Sequence, residues 1–422
     1  MSKIENELDI KRYDIYISIF LVINFILAVF STVRNVILHY KGILSPGLFC
    51  DHIWIYRECA YALRGIDMSE AIRLGIFLDG IGQVSASSTW PWAKILGVVV
   101  HGAFLSEKAS QIYAVGLYIL LILATCLLCY RKLIASDHIP DSIVNRIQVV
   151  FLFLSSWYYV YLACAFNNGS FVCLAIIAAI ALIDDKPVLA GVIMAFAMIK
   201  AQIAIPFFVV FLIRRKWKVI WTSVLVVLSS WVTSCILMHI TPWEQIKNLL
   251  HGQMSGSSAA FLRYGMFDFI MLFDNSKALL CMILSALTGL IILVFIEKKV
   301  IDKDLQGEYV YLSYYHAAIV ALLWMYTTKC DYLILTIVAF GMLEMWHKSK
   351  KGLCMFLFCL GIIGCSLMNL TNLLGQGLAK VGIIDVSLAQ PLEGRFDTVL
   401  LLLMITVLSL LIRRRNKRCA FQ

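Results

Sequence analysis

VLAGVIMAFAMIKAQIAIPFFVVFLI, residues 188–213, is a run of about 26 mostly apolar residues with Lys200 near its middle and Pro206 soon after. Two readings compete. One is a single tilted span with a buried cation. The other is a pair of half-spans turning near Lys200-Ala201-Gln202. Charge placement separates them, because cytoplasmic loops of membrane proteins carry an excess of Lys and Arg. With Arg131-Lys132 inside, the two following spans return the chain to the inside at Asp184-Asp185-Lys186. A single span would then put Arg214, Arg215, Lys216 and Lys218 outside; two half-spans keep them inside. Each half, about 13 residues or ~20 Å at 1.5 Å per residue, is too short to cross alone. Such a hairpin lines a protein cavity rather than facing lipid.

The rest of the chain agrees with a membrane reading. Its 422 residues are 61% hydrophobic and only 15% charged. Apolar runs of the length needed to cross ~30 Å of hydrocarbon recur, and no alternating segments suggest a barrel. The net charge of +10 sits in short clusters between these runs, among them Lys298-Lys299, His347 to Lys351 and Arg413 to Arg418. Clusters of this kind flank spans and do not form a nucleic-acid surface, so no nucleic-acid partner is expected. The thirteen cysteines are scattered, mostly within apolar runs, without zinc spacing. The first apolar run, Ile15 to Val36, is too long for a cleaved signal and is read as a retained first span.

The expected architecture is all-α: one polytopic membrane domain over residues 1–422, with about twelve crossings counting the half-spans and both termini cytoplasmic. Spans are expected at about Ile15–Val36, Ile112–Tyr130, Ile147–Phe166, Phe171–Ile183, Val219–Ile240, Lys277–Ile296, Tyr309–Tyr326, Asp331–Met345, Leu353–Leu373 and Thr398–Ile412. Three outer loops follow, 38–105, 241–276 and 374–397. The first is the least like a plain span. Asp51 can cap a helix from about His52 to Leu63, stopped by Gly65, with Ile53, Trp54, Cys59, Ala60 and Leu63 on its apolar side. A second amphipathic piece runs from Met68 to Leu78. Helices of this kind lie in the membrane interface. Trp90-Pro91-Trp92 then opens a short apolar helix to Leu105.

Ionisable and polar groups at membrane depth are expensive, so each is a candidate site. The topology gathers several on the outer side: Asp51, Asn167-Asn168-Gly169, Lys200, Gln202, His251, Arg263, Tyr264, Lys329 and Asp331. That inventory suits transfer of a sugar from a lipid phosphate. A carboxylate accepts the acceptor's proton, and cations and amides steady the departing phosphate. Tyr56, Trp90 and Trp92 offer faces for sugar rings, although interfacial belts use the same residues.

An ordered set of short motifs resembles the multispan GT-C glycosyltransferases, in particular the DUF2029 group, which is similar to glycosyltransferase family 87. The set is Asn167-Asn168-Gly169, Leu189-Ala190-Gly191, Ile199-Lys200-Ala201-Gln202, Arg214-Arg215-Lys216-Trp217, Phe261-Leu262-Arg263-Tyr264-Gly265 and Thr328-Lys329-Cys330-Asp331-Tyr332. The first loop is similar too, with an Asp near its start, Tyr61-Ala62-Leu63-Arg64-Gly65 and a Pro-bearing helix. The resemblance covers about residues 15 to 345. Ala201 stands where the group usually has Pro, Trp-Pro-Trp replaces Tyr-Pro-Pro, and the late turn lacks its Pro. The resemblance implies a GT-C fold in the cytoplasmic (inner) membrane. It implies a polyprenyl-phosphate hexose donor, often mannose, and a glycolipid or cell-envelope glycan acceptor. Asp51 would be catalytic base, and Lys200, Arg263, Gln202, Asn168, Asp331, Tyr56 and Trp90 would bind substrate. No metal or other cofactor is assigned.

Plainer roles stand beside these. Asp51 can be a helix cap, Lys200 can snorkel to an interface, Arg263 can touch lipid headgroups, and Asp331 can pair with Lys329. The asparagines can cap spans. Asp79, followed by Gly80, is a rival base but fits a turn. Asp184-Asp185 lies on the cytoplasmic side and carries little weight as a metal motif. A lipid-linked-sugar flippase would predict broken segments in both halves, and only one is found. A polysaccharide polymerase or ligase would rely on His251 and Arg263.

Overall fold

The computed structural model describes residues 3–43, 48–75, 90–247, 278–301, 303–325, 327–349, 352–367, 378–382 and 386–419. The expectations for Asp79, Gly80, His251, Arg263 and Tyr264 lie outside them. Every regular element among these residues is helical. Six helices are long and apolar enough to cross a membrane: Ile10–Tyr40, Glu107–Ala135, Pro187–Ile213, Trp217–Met238, Lys329–Ser349 and Phe396–Asn416. Four shorter apolar helices join them. The chain is a membrane protein.

The helices in order are α1 (Lys3–Tyr40), α2 (Cys50–Leu63), α3 (Met68–Leu74), α4 (Lys94–His101), α5 (Glu107–Tyr130), α6 (Ile143–Leu154), α7 (Tyr159–Ala165), α8 (Asn168–Leu182), α9 (Pro187–Ala197), α10 (Ala201–Ile213) and α11 (Trp217–Met238). They continue with α12 (Ala278–Lys299), α13 (Lys303–Glu308), α14 (Tyr315–Leu323), α15 (Thr336–Ser349), α16 (Leu353–Leu367) and α17 (Val386–Cys419). Burial sorts them. α8 carries apolar residues all round and is buried from Gly169 to Leu182, as a central helix must be. α1, α5 and α11 each expose rows of Ile, Leu, Val and Trp, such as Ile119, Leu123 and Leu127 on α5. Those rows suit a lipid-facing ring.

The stretch 188–213 folds back. By length it counts as one span, but the Lys216 ammonium meets the Asp184 carboxylate, so its two ends lie at the same end of the molecule. A straight helix of that length would hold them ~40 Å apart. The reversal falls at the 3₁₀ turn Met198–Lys200, between α9 and α10, where the charge pattern put it. Arg214 closes the base of the hairpin. Its guanidinium grips Glu297 on α12 through two hydrogen bonds of 2.7 and 3.0 Å, donates to the Ser313 carbonyl at 2.7 Å and lies 4.3 Å from the Tyr314 ring centroid. His316 shares the same carboxylate at 2.8 Å. α9 packs closely on α11 because Gly191 has no side chain. A Cβ there would lie 2.7 Å from Thr222 Cβ and 2.8 Å from the Val219 carbonyl, and Ser223 Oγ donates to the Gly191 carbonyl at 2.7 Å. Small residues at such crossings let backbones approach in lipid.

A second break went unread in the sequence. The expected span Ile147–Phe166 is two helices, α6 and α7, parted by an unwound turn at Ser155–Tyr158. Asn24 of α1, 1% exposed, supplies what the turn loses. Its Nδ2 donates to the Ser155 carbonyl at 2.7 Å, and its Oδ1 accepts from Trp157 Nε1 at 2.7 Å. The Trp157 backbone N–H finds the Leu367 carbonyl. Without water, freed backbone groups need such partners.

The first loop differs from its expected form. α2 starts at Cys50, after Phe49 in a left-handed conformation, and no side chain caps it. Asp51 therefore sits in the first turn rather than at the N-cap. The buried side of α2 carries His52, Ile55, Tyr56, Glu58, Cys59, Ala60, Tyr61 and Ala62, whereas Trp54 and Leu63 are exposed. This differs from the expected face because α2 packs on α4 and α11, so two sides are covered instead of one.

Candidate active site

Asp51 lies in the first turn of α2, where its carboxylate meets the turn before α8. Asn167 Nδ2 donates to Asp51 Oδ2 at 2.7 Å. The same amide's Oδ1 accepts the Gly169 backbone N–H at 2.7 Å and so caps α8. Asn167 thus fixes the carboxylate and the helix start together. On Asp51's other oxygen, Cys50 Sγ lies 3.6 Å from Oδ1. Burial, helped by the Asp51 charge, pushes the Cys50 thiol up to about 12, so it remains an S–H.

Across the same turn stands a buried ion pair. Lys200 Nζ lies 2.7 Å from each oxygen of Asp331 and 3.3 Å from Thr328 Oγ1. Asp331 is 0% exposed and also accepts the Thr328 backbone N–H at 2.6 Å, closing a capping box on the 3₁₀ segment Lys329–Leu335. Gly169 makes room for it, since a Cβ there would overlap Asp331 Oδ1. The expectation that Asp331 pairs with Lys329 is corrected: Lys329 reaches Asp397 at 3.5 Å instead. In a 3₁₀ turn, residues two apart point to different sides.

The remaining candidates divide. Gln202 and Trp90 meet at the hairpin tip, with Trp90 Nε1 3.5 Å from Gln202 Oε1. Trp90 stacks on Trp92 at 4.9 Å between centroids and 12° between planes. Tyr56 is only 4% exposed and donates to the Leu105 carbonyl at 2.8 Å. Asn168 faces His101 rather than Asp51.

Asn168 ends a buried chain that sequence reasoning passed over. His52 Nε2 lies 3.2 Å from Ser110 Oγ, His52 Nδ1 lies 2.9 Å from His101 Nδ1, and His101 Nε2 lies 2.6 Å from the Asn168 amide. Ser110 Oγ also donates to the Glu107 carbonyl at 2.7 Å. The Asn168 atom that faces His101 Nε2 is its Oδ1, so His101 Nε2–H donates to it and the single proton between the two Nδ1 atoms comes from His52. Both rings are neutral. Burial first, then the neighbouring His101, lowers His52 to about 3, and burial lowers His101 to about 4. In the sequence His52 is marked only by standing next to Asp51, and His101 has no local signal in its apolar stretch.

Because both histidines sit below their unfolded value of ~6.5, the unfolded chain takes up protons that the folded chain refuses. Stability is held above pH ~6.5 and falls as the pH drops toward 4. Thermal unfolding of the detergent-solubilised protein should show that fall. The His52→Gln/His101→Gln double variant should lose most of the slope; an unchanged slope would place the acid sensitivity elsewhere.

The profile of glycosyltransferase family 87 matches residues 95–365, well over half of the chain. The chain belongs to glycosyltransferase family 87. It is therefore a membrane-embedded glycosyltransferase. The matched segment contains Asn168, Lys200, Gln202, Arg263 and Asp331, whereas Asp51, Tyr56 and Trp90 precede it. No curated protein and no solved structure was found to match the family 87 chain.

Proposed function

We propose that this family 87 enzyme transfers a hexose, mannose-like, from a polyprenyl phosphate to a glycolipid or cell-envelope glycan at the outer face of the cytoplasmic membrane. It acts as an inverting GT-C-type enzyme, with both termini cytoplasmic and about twelve crossings counting the hairpin halves. The observation that carries this reading is the meeting at one helix start of a carboxylate held by a neutral amide, Asp51 on Asn167, and a cation from the hairpin tip, Lys200 on Asp331.

Asp51 takes the proton of the acceptor hydroxyl. The acceptor oxygen attacks the anomeric carbon from the face opposite the phosphate. The bond from that carbon to the phosphate oxygen breaks, and the polyprenyl phosphate leaves with the electron pair. A phosphate leaving group needs no strong general acid. Lys200, which Asp331 holds at the hairpin tip, and Arg263 steady the developing phosphate charge. Gln202, Asn168, Tyr56 and Trp90 shape the surroundings.

The test uses purified protein in nanodiscs. Supplied with labelled polyprenyl-phosphate hexose and glycolipid acceptors, it should form a glycosylated product whose anomeric configuration is inverted. Transfer should persist with a chelator present. Transfer from a nucleotide sugar instead, or movement of the lipid across the bilayer without transfer, would overturn the reading.

A further inference from the structure

At the hairpin tip one backbone carbonyl lacks its helical partner. An α-helical carbonyl accepts from the N–H four residues on. For Gln202 that residue is Pro206, which has no N–H. The Gln202 carbonyl is therefore left without its helical donor by the sequence. Trp324, 4% exposed at the end of α14, donates its indole N–H to this carbonyl at 2.6 Å. On the other side of the turn, Trp92 Nε1 donates to the Met198 carbonyl at 3.1 Å. Two indoles from opposite sides thus hold backbone carbonyls on either flank of Lys200, and Trp324 takes the one that Pro206 leaves without its helical donor. Trp92 is itself held: Ser230 Oγ donates to its carbonyl at 2.7 Å, and its ring packs edge-on against Trp231 at 6.1 Å.

We propose that Trp324 and Trp92 are positioning residues that clamp the broken tip of the hairpin and so aim Lys200 at the sugar-transfer site. This rests on the transferase reading of that site. The clamp explains why a proline is tolerated within two turns of a functional lysine. Pro206 frees a carbonyl, and Trp324 takes it, tying α10 to α14 at the level of Lys200. A plain packing role would need the ring but not its N–H.

The experiment separates ring from N–H. Trp324→Phe keeps an aromatic ring and removes the donor. Pro206→Ala returns a backbone N–H to Gln202. The two single variants, the double variant and the parent are compared in nanodiscs by two readouts. One is the rate at which Lys200 is acylated by a water-soluble ester, followed by mass spectrometry. The other is transfer from polyprenyl-phosphate hexose, split into kcat and KM. In Trp324→Phe, Lys200 acylation should rise and kcat/KM should fall, each about tenfold, the effect of stranding one buried acceptor. The double variant should return most of the way to the parent on both readouts.

Unchanged Lys200 acylation in Trp324→Phe would overturn the clamp. So would a rise in acylation that Pro206→Ala does not reverse, because Trp324 would then act through its shape. If acylation follows expectation while the parent transfers nothing from the lipid donor, the clamp stands and the proposed reaction falls.

Discussion

Replacing Asp51 with Asn should lower sugar transfer by roughly 100- to 10,000-fold, the usual contribution of a positioned base. Asn keeps the size of the side chain and can still meet Asn167 through its oxygen, so the protein should insert and fold. What it loses is the negative charge and the capacity to hold the acceptor's proton. The loss should fall on kcat, because a group that acts only as the proton leaves contributes little to ground-state binding. Steady-state transfer at saturating donor and acceptor checks this. A stably inserted Asp51→Asn protein with normal kcat would remove Asp51 from the chemistry. Asn167→Ala should give a weaker version of the same defect, because Asn167 orients the carboxylate rather than replacing it.

The second large effect concerns Lys200 and Asp331. Their side chains are 11% and 0% exposed, so neither charge can turn to water when its partner is removed. Lys200→Met leaves Asp331 buried without a countercharge, which should destabilise the protein by about 3–5 kcal/mol. Adding Asp331→Asn removes the stranded charge and should recover most of that stability, while the Thr328 backbone N–H keeps an acceptor. Transfer should remain at least ~100-fold down in both. Unfolding midpoints in detergent and the transfer assay, run side by side, separate stability from chemistry. A lysine that merely snorkelled would show no such recovery. A double variant with restored transfer would make the pair structural only.

Much of this could be read from residue order. The rows of apolar residues declared the spans, because crossing hydrocarbon demands length and hydrophobicity whatever the neighbours are. The fold-back at Lys200 was legible because charge near a membrane is biased to one side, and Arg214 to Lys218 had to return to the side of Asp184. The unwound turn at Ser155–Tyr158 was not legible. Its compensation comes from Asn24, more than a hundred residues away, and a lone Asn in an apolar run has no local signature. The face of α2 was misjudged for a related reason: periodicity finds one apolar stripe, and α2 is covered on two sides.

At the site, the residue types and their common end of the molecule were set by sequence alone: Asp51, the asparagine pair, Lys200 and Asp331. The pairings were decided only in three dimensions. Asn167 rather than Asn168 holds Asp51, Asp331 takes Lys200 rather than Lys329, and Trp324 supplies the hydrogen bond that Pro206 withholds. Sequence spacing specifies which side of an element a residue occupies. Which of two adjacent amides or alternate lysines meets a given carboxylate depends on a rotation of one residue. That rotation is set by how distant helices pack, here by the room Gly169 leaves for Asp331 and by the capping box that turns Asp331 inward.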